Sequence, residues 1–267
     1  MTIEEAYNQL QERFRSFETG DDWKRFLAFS ARFRQYSLCN TVLIYQQRPT
    51  ASFVAGFNKW KEMNRYVRKG EKGIHIFAPI IRKVSDEKDP EVSRERLTGF
   101  KLTSIFDLSQ TEGEEVPIPV SIKGLEDQEG ADALRERLLA AVQDVIPVSF
   151  VPLPLGFHGF YDIKARSIAL SNGDTALQNI KTLFHELAHH LHETTFPGDE
   201  TKDQKEFIAE SAAFIACSAM GIDSTEYTIP YLKTWLNDFS AFSKMRSKIE
   251  KISSKLLSLT EEKSIAS

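Results

Sequence analysis

At 267 residues the chain is long enough for two ordinary domains. A composition of 41% hydrophobic and 27% charged residues excludes a disordered polymer, and no stretch approaches the roughly 18 uninterrupted apolar residues of a membrane span. No basic, apolar leader opens the sequence, and Cys39 and Cys217 are too few for a disulfide framework, so a cytoplasmic protein is expected. The net charge of −4 is unevenly spread. Between Lys24 and Lys83 there are 13 Lys/Arg against only Glu62 and Glu71, whereas both flanks are acidic. A basic first half suits a polyanion, although solvated helix faces would meet the same pattern.

In chain order, 3–17 and 22–47 read as helices, the second with an apolar stripe of Trp23, Phe26, Leu27, Phe29 and Phe33. Val54 and Ala55 are extended, and Asn58–Met63 is a helical turn carrying Trp60. Alternating apolar residues around the basic, glycine-bearing tip of 66–79 predict a β-hairpin, with Phe100–Leu108 as a partner strand. Residues 109–124 contain acidic residues and two prolines and read as a linker. Beyond it come a helix at 129–143, an extended run from Val148 and a hairpin-like segment at 159–171. Two long helices follow, one after Asn172-Gly173-Asp174 and one over 203–220. The predicted fold is α+β in two domains, a helical and β-hairpin domain at 1–120 and a second domain at 125–267.

His185-Glu186-Leu187-Ala188-His189 lies in a run whose apolar residues follow a 3.6-residue period. Residues four apart share a helix face, so both imidazoles can reach one Zn2+, and Glu186 stands beside them to deprotonate an attacking water. A catalytic zinc needs a third protein ligand. On the apolar helix after Asp203, Glu206 and Glu210 share a face, and Glu210, the deeper, is the expected ligand, leaving Glu206 to an outer position or solvent. Cys217 is too far along the helix for the same ion and reads as core. His190 is expected to point away to solvent, and His192 to lie at the surface. His158 and Tyr161 are candidates for stabilising an oxyanion, and 166–171 for pairing with an extended peptide.

The chain resembles the ArdC-type antirestriction proteins, which join a single-stranded-DNA-binding domain to a zincin-like metallopeptidase domain related to the ImmA/IrrE family. The likeness rests on Gln47-Arg48-Pro49, on Val54-Ala55-Gly56-Phe57 with Trp60, on Val67–Ile74 and on Phe106–Gly113. In the second half it rests on the histidine motif, Glu210–Phe214, Tyr231 and Trp235. It implies DNA binding by the first domain, a protein or peptide substrate for the second, and a zinc-ligand role for Glu210. Arg65, Arg68, Lys69 and Lys72 are then candidate phosphate contacts, and Phe57, Trp60 and Tyr66 candidate stacking groups. Two other functions fit the same residues: an ImmA-like peptidase that cleaves a transcriptional repressor, and a DNA-binding protein with a purely structural zinc.

Overall fold

The computed structural model describes residues 2–16, 20–33, 35–85, 93–116, 128–198, 200–222 and 239–260. Its fold is mixed α+β, and it divides into two compact units, 1–16 with 35–118 and 17–34 with 119–267. The predicted partition at 120–125 therefore differs at one segment. Residues 17–34 leave the first unit and join the second.

The first unit contains α1 (Ile3–Arg15), α3 (Leu38–Gln47), β1 (Val54–Gly56), α4 (Phe57–Glu62), β2 (Arg65–Val67), β3 (Ile74–Ser85), β4 (Ser93–Asp107) and β5 (Thr111–Gly113). Strands β1, β4 and β3 form an antiparallel sheet in that order, and β2 pairs separately with β5. The hairpin expected over 66–79 does not form. Its first arm pairs with Thr111–Gly113 and its second with β4. The reason is local: Gly113, at φ +135°, lets the chain pass so close to Asn64 and Arg65 that any side chain there would collide with their backbone.

Strand β3 is an edge of its sheet, and α3 blocks that edge with two side-chain amides. Asn40 exchanges two 2.9 Å hydrogen bonds with the backbone of Phe77, and Gln47 exchanges two of the same length with His75. Seven residues apart on α3, the two amides stand where a neighbouring strand would bond, which removes a route to edge-to-edge pairing.

The motif residues of this unit meet in a polar knot. The buried Asp107 carboxylate accepts from the Ser52, Phe53 and Ser109 amides and lies 3.8 Å from Arg48 Nε. Gln110 donates to the Lys72 carbonyl and the Glu71 carboxylate, which with Arg68 holds the Glu71 carboxyl below its usual range. Buried polar groups need such partners, so these strings serve the fold.

The second unit contains α2 (Gly20–Ser30), α5 (Gln128–Val142), β6 (Val148–Val151), β7 (Gly159–Asp162), β8 (Ser167–Ser171), α6 (Ala176–Thr195), α7 (Lys202–Ala219) and α8 (Phe239–Ser258). Its sheet runs β6-β8-β7, with β6 parallel and β7 antiparallel to β8. Helix α7 is apolar around most of its girth and is packed by α2, α6 and α8. Trp23 of α2, fully buried, stacks on Phe207 at 5.9 Å and donates from its indole to Ser211 Oγ at 3.1 Å. The helix between residues 22 and 47 is thus two helices with different destinations. Trp23→Ala should destabilise the second unit by about 3–5 kcal/mol, read as a lower urea midpoint, and an unchanged midpoint would contradict this packing.

Candidate metal centre

Thr175 begins α6, its hydroxyl accepting from the Gln178 amide, one residue beyond the cap region expected from the sequence. A period of 3.6 turns Ile180, Leu183, Phe184, Leu187 and Leu191 into the core, leaving His185 and His189 together on the face that meets α7. Their Nε2 atoms lie 3.1 Å apart, with the rings at 76°.

Helix α7 returns after the short connection 196–201, capped by a reciprocal pair of hydrogen bonds between Thr201 and Gln204. The two helices pack closely, and His189 comes level with Glu206 while His185 comes level with Glu210. Glu206 Oε2 lies 3.5 Å from Nε2 of His185 and 3.4 Å from Nε2 of His189. Glu210 Oε2 is 2.7 Å from the other nitrogen of His185, Nδ1, but off the line of its N–H. The structure therefore sets Glu206, and not the expected Glu210, against both Nε2 atoms. Burial alone suggested the deeper Glu210, yet depth sets it behind the His185 ring, and the shallower Glu206 faces both Nε2 atoms.

His185, His189 and Glu206 fit a metal ion. A tetrahedron with bonds of ~2.05 Å has edges of about 3.3 Å, close to the three separations found. An octahedron of slightly longer bonds offers the same triangle on one face. Burial would lower the His185 pKa, but the neighbouring carboxylates of Glu206, Glu210 and Glu186 outweigh it and raise it to about 10, so an ion would take the place of that proton. Hydrogen bonds to His185 and His189 hold the Glu206 carboxyl well below the usual range.

Residues 2–120 match the family described as the N-terminal domain of anti-restriction factor ArdC. The fold likeness runs further, to the metal-free crystal structure of the antirestriction protein ArdC from plasmid R388. That match has a TM-score of 0.57 at 18% identity and covers 84% of this chain and 85% of that one. The Mn(II)-bound structure of the same protein gives 0.55 at 19% identity, over 85% and 86%. The chain carries an ArdC N-terminal domain on an ArdC-like fold. An uncharacterized protein of Bacillus anthracis is 26% identical over 82% of this chain, which spans less than half of that relative (44%).

In this ArdC-like chain a cleft of about 330 Å³ opens on the His/Glu triangle, and Glu186, Phe160, Tyr161 and His192 line it. Burial raises the Glu186 pKa, against the pull of the His185 and His189 charges. Contrary to expectation, His190 and His192 are both buried. His190 Nδ1 lies 3.2 Å from the Tyr161 hydroxyl, and His192 Nε2 lies 3.8 Å from Glu200, which also meets Lys248. His158 pairs with Asp174 at 2.9 Å and does not line the cleft. Cys217 is a core thiol whose burial pushes its pKa up to about 12. Tyr231 and Trp235 lie outside the described residues.

The segment expected to take a peptide, 166–171, forms the central strand β8, with β6 and β7 as the two edges, and β7 is the edge whose Phe160 and Tyr161 line the cleft. In the first unit, Arg65 donates to Thr111 Oγ1 at 2.8 Å and to the carbonyls of Thr111, Gly113 and Glu114. Arg68 donates to Glu71 at 3.0 Å and to the Ser109 and Thr111 carbonyls. Both guanidiniums are spent on the fold, while Lys69 and Lys72 are exposed. Trp60 is core, donating to the Phe106 carbonyl at 3.0 Å, whereas Phe57 and Tyr66 are exposed.

Gly159 is what brings β7 against the site. A Cβ there would stand 2.7 Å from both the Ala169 carbonyl oxygen and Thr182 Cγ2. Gly159→Ala should push β7 outward and cost about 1–3 kcal/mol, visible as a lower unfolding midpoint, and an unaltered midpoint would refute the close approach.

Proposed function

We propose that the protein is an antirestriction-type factor that binds single-stranded DNA through its first unit and hydrolyses a peptide bond at a metal ion in its second. His185, His189 and Glu206 would hold the ion. The observation that carries this reading is the triangle of three donor atoms, 3.1–3.5 Å on a side, beside the buried Glu186. Two imidazoles and a carboxylate suit zinc, and the existence of a Mn(II)-bound form of R388 ArdC supports a divalent ion as the cofactor. When bound, such an ion acts as a Lewis acid and brings the pKa of water from 15.7 to about 7.

The chain's own residues supply the rest. Glu186 takes a proton from the attacking water as its oxygen adds to the peptide carbonyl carbon. It then returns that proton to the departing amine as the C–N bond breaks. Glu210, 2.7 Å from Nδ1 of His185, would orient the ring once that N–H turns toward it, the role that carboxylates commonly play toward metal-binding imidazoles. The edge of β7 not occupied by β8 is suited to pair with an extended substrate, and its Phe160 and Tyr161 line the cleft. The ArdC family assignment of residues 2–120 and the exposed Lys69 and Lys72 support single-stranded DNA as the partner of the first unit.

Calorimetric zinc titration separates the two carboxylates. Glu206→Gln should weaken binding more than Glu210→Gln, for which the loss should be about 10–100-fold. Equal or reversed losses would return the ligand role to Glu210. Glu186→Gln should keep metal and fold while abolishing cleavage of a denatured protein substrate, and undiminished cleavage would remove Glu186 from the chemistry.

A further inference from the structure

The sheet of the first unit has one face turned to its core and one left open. In the antiparallel register, Val54, Ile74, Ile76 and Ile105 share the face that is buried. The alternate residues emerge on the other side: Phe106, Ser104, Leu102 and Phe100 along β4, with His75, Phe77 and Pro79 opposite them on β3. None of these seven is buried, and Phe100 is 52% exposed. From Phe100 to Phe106 the strip is about 20 Å long.

Aromatic and cationic groups gather at the Phe106 end. Phe57, at the start of α4 and 47% exposed, meets Phe106 edge-on with centroids 6.4 Å apart. Lys61 Nζ lies 4.8 Å from the centre of the Phe57 ring. The basic loop reaches the same place, because a Cβ on Gly73 would stand 3.3 Å from Phe106 Cζ and 2.8 Å from Ser104 Cβ. That contact sets the exposed Lys72 at the border of the face. Soluble proteins seldom leave a strip of aromatic rings open to water without a ligand for it. Flat rings bordered by lysines match a chain of unpaired bases joined by phosphates, since every base offers a π-face and every linkage a negative charge.

We propose that this open face, with Phe57, Phe106 and Phe100 as stacking surfaces and Lys61 and Lys72 as phosphate contacts, is where single-stranded DNA lies. This rests on the DNA-binding reading above and moves the contact away from Arg65 and Arg68. Phe57 and Phe106 stand at one end of the face, Phe77 beside Leu102 in its middle and Phe100 at the other end, so separate bases can stack along it while Lys61 and Lys72 meet the phosphates at the Phe106 end.

Fluorescence anisotropy with labelled poly-dT, measured across salt on the full chain, tests it. Phe57→Ala and Phe100→Ala should each weaken binding roughly tenfold while leaving the salt slope intact, because no charge is removed. Lys61→Ala and Lys72→Ala should each flatten that slope by about 0.7. Phe57→Trp should keep the affinity and show quenching of the new indole on poly-dT. Phe157→Ala, in the second unit, serves as the control with unchanged binding. If the wild type binds but the two alanine variants bind equally well with no quenching at Trp in position 57, the face is not the DNA site, although the DNA-binding reading survives. If the wild type fails to bind at low salt, that reading itself falls. A loss of self-association in Phe57→Ala, with DNA affinity untouched, would assign the face to a second copy of the chain and overturn the proposal.

Discussion

The antiparallel pairing of α6 with α7 is the constraint on which the rest of the second unit depends. A helix presents residues four apart on one face, so His185 and His189 converge whatever else the chain does. What they converge upon is decided by the helix that returns beside them. Counting out from the connection at 196–201, Glu206 comes level with His189 and faces both Nε2 atoms, and Glu210 comes level with His185 and meets its Nδ1. One carboxylate completes a triangle of donors and the other steadies a ring. Neither arrangement survives a shift of one turn, about 5.4 Å, between the helices. Trp23, packed on Phe207 and Ser211 of α7, and Gly159, at the start of β7, are therefore as much part of the site as the residues that line it.

Much of this was legible in the sequence. The histidine motif on an amphipathic run gave the helix and both imidazoles, whereas the Thr201–Gln204 cap that starts α7 was not read in advance. The mixed fold and the hairpin at 159–171 follow from period and turn residues, whereas the parallel place of β6 beside β8 does not. The choice between Glu206 and Glu210 was not legible from burial, because depth says nothing about which ring nitrogen a carboxylate will meet. The length of the connection between the helices held that information. His190 and His192 looked exposed from their positions on the helical wheel, but β7 covers one through Tyr161, and the other meets Glu200 and Lys248. Partners distant in sequence leave no periodic trace.

The first unit offers the complementary lesson. Arginine, with five donors in a planar fork, is well suited to bridging several carbonyls, and Arg65 and Arg68 do that. A cluster of basic residues read as a nucleic-acid contact thus divides into arginines that tie a loop to β5 and lysines left in solvent. Asp107, Gln110 and Arg48 join the same knot, which accounts structurally for most of the motif strings. The pairing of β3 with β4 was legible, since Phe100–Leu108 was expected as a partner strand, but which of its two faces lies open was not, because that depends on what packs against the sheet.

Anomalous diffraction from metal-loaded crystals tests the geometry of the centre most directly. A single strong peak is expected about 2.0–2.2 Å from Nε2 of His185, Nε2 of His189 and one carboxylate oxygen of Glu206, with Glu210 against Nδ1 of His185. A peak coordinated by Glu210 in place of Glu206, or one lying away from both histidines, would contradict it.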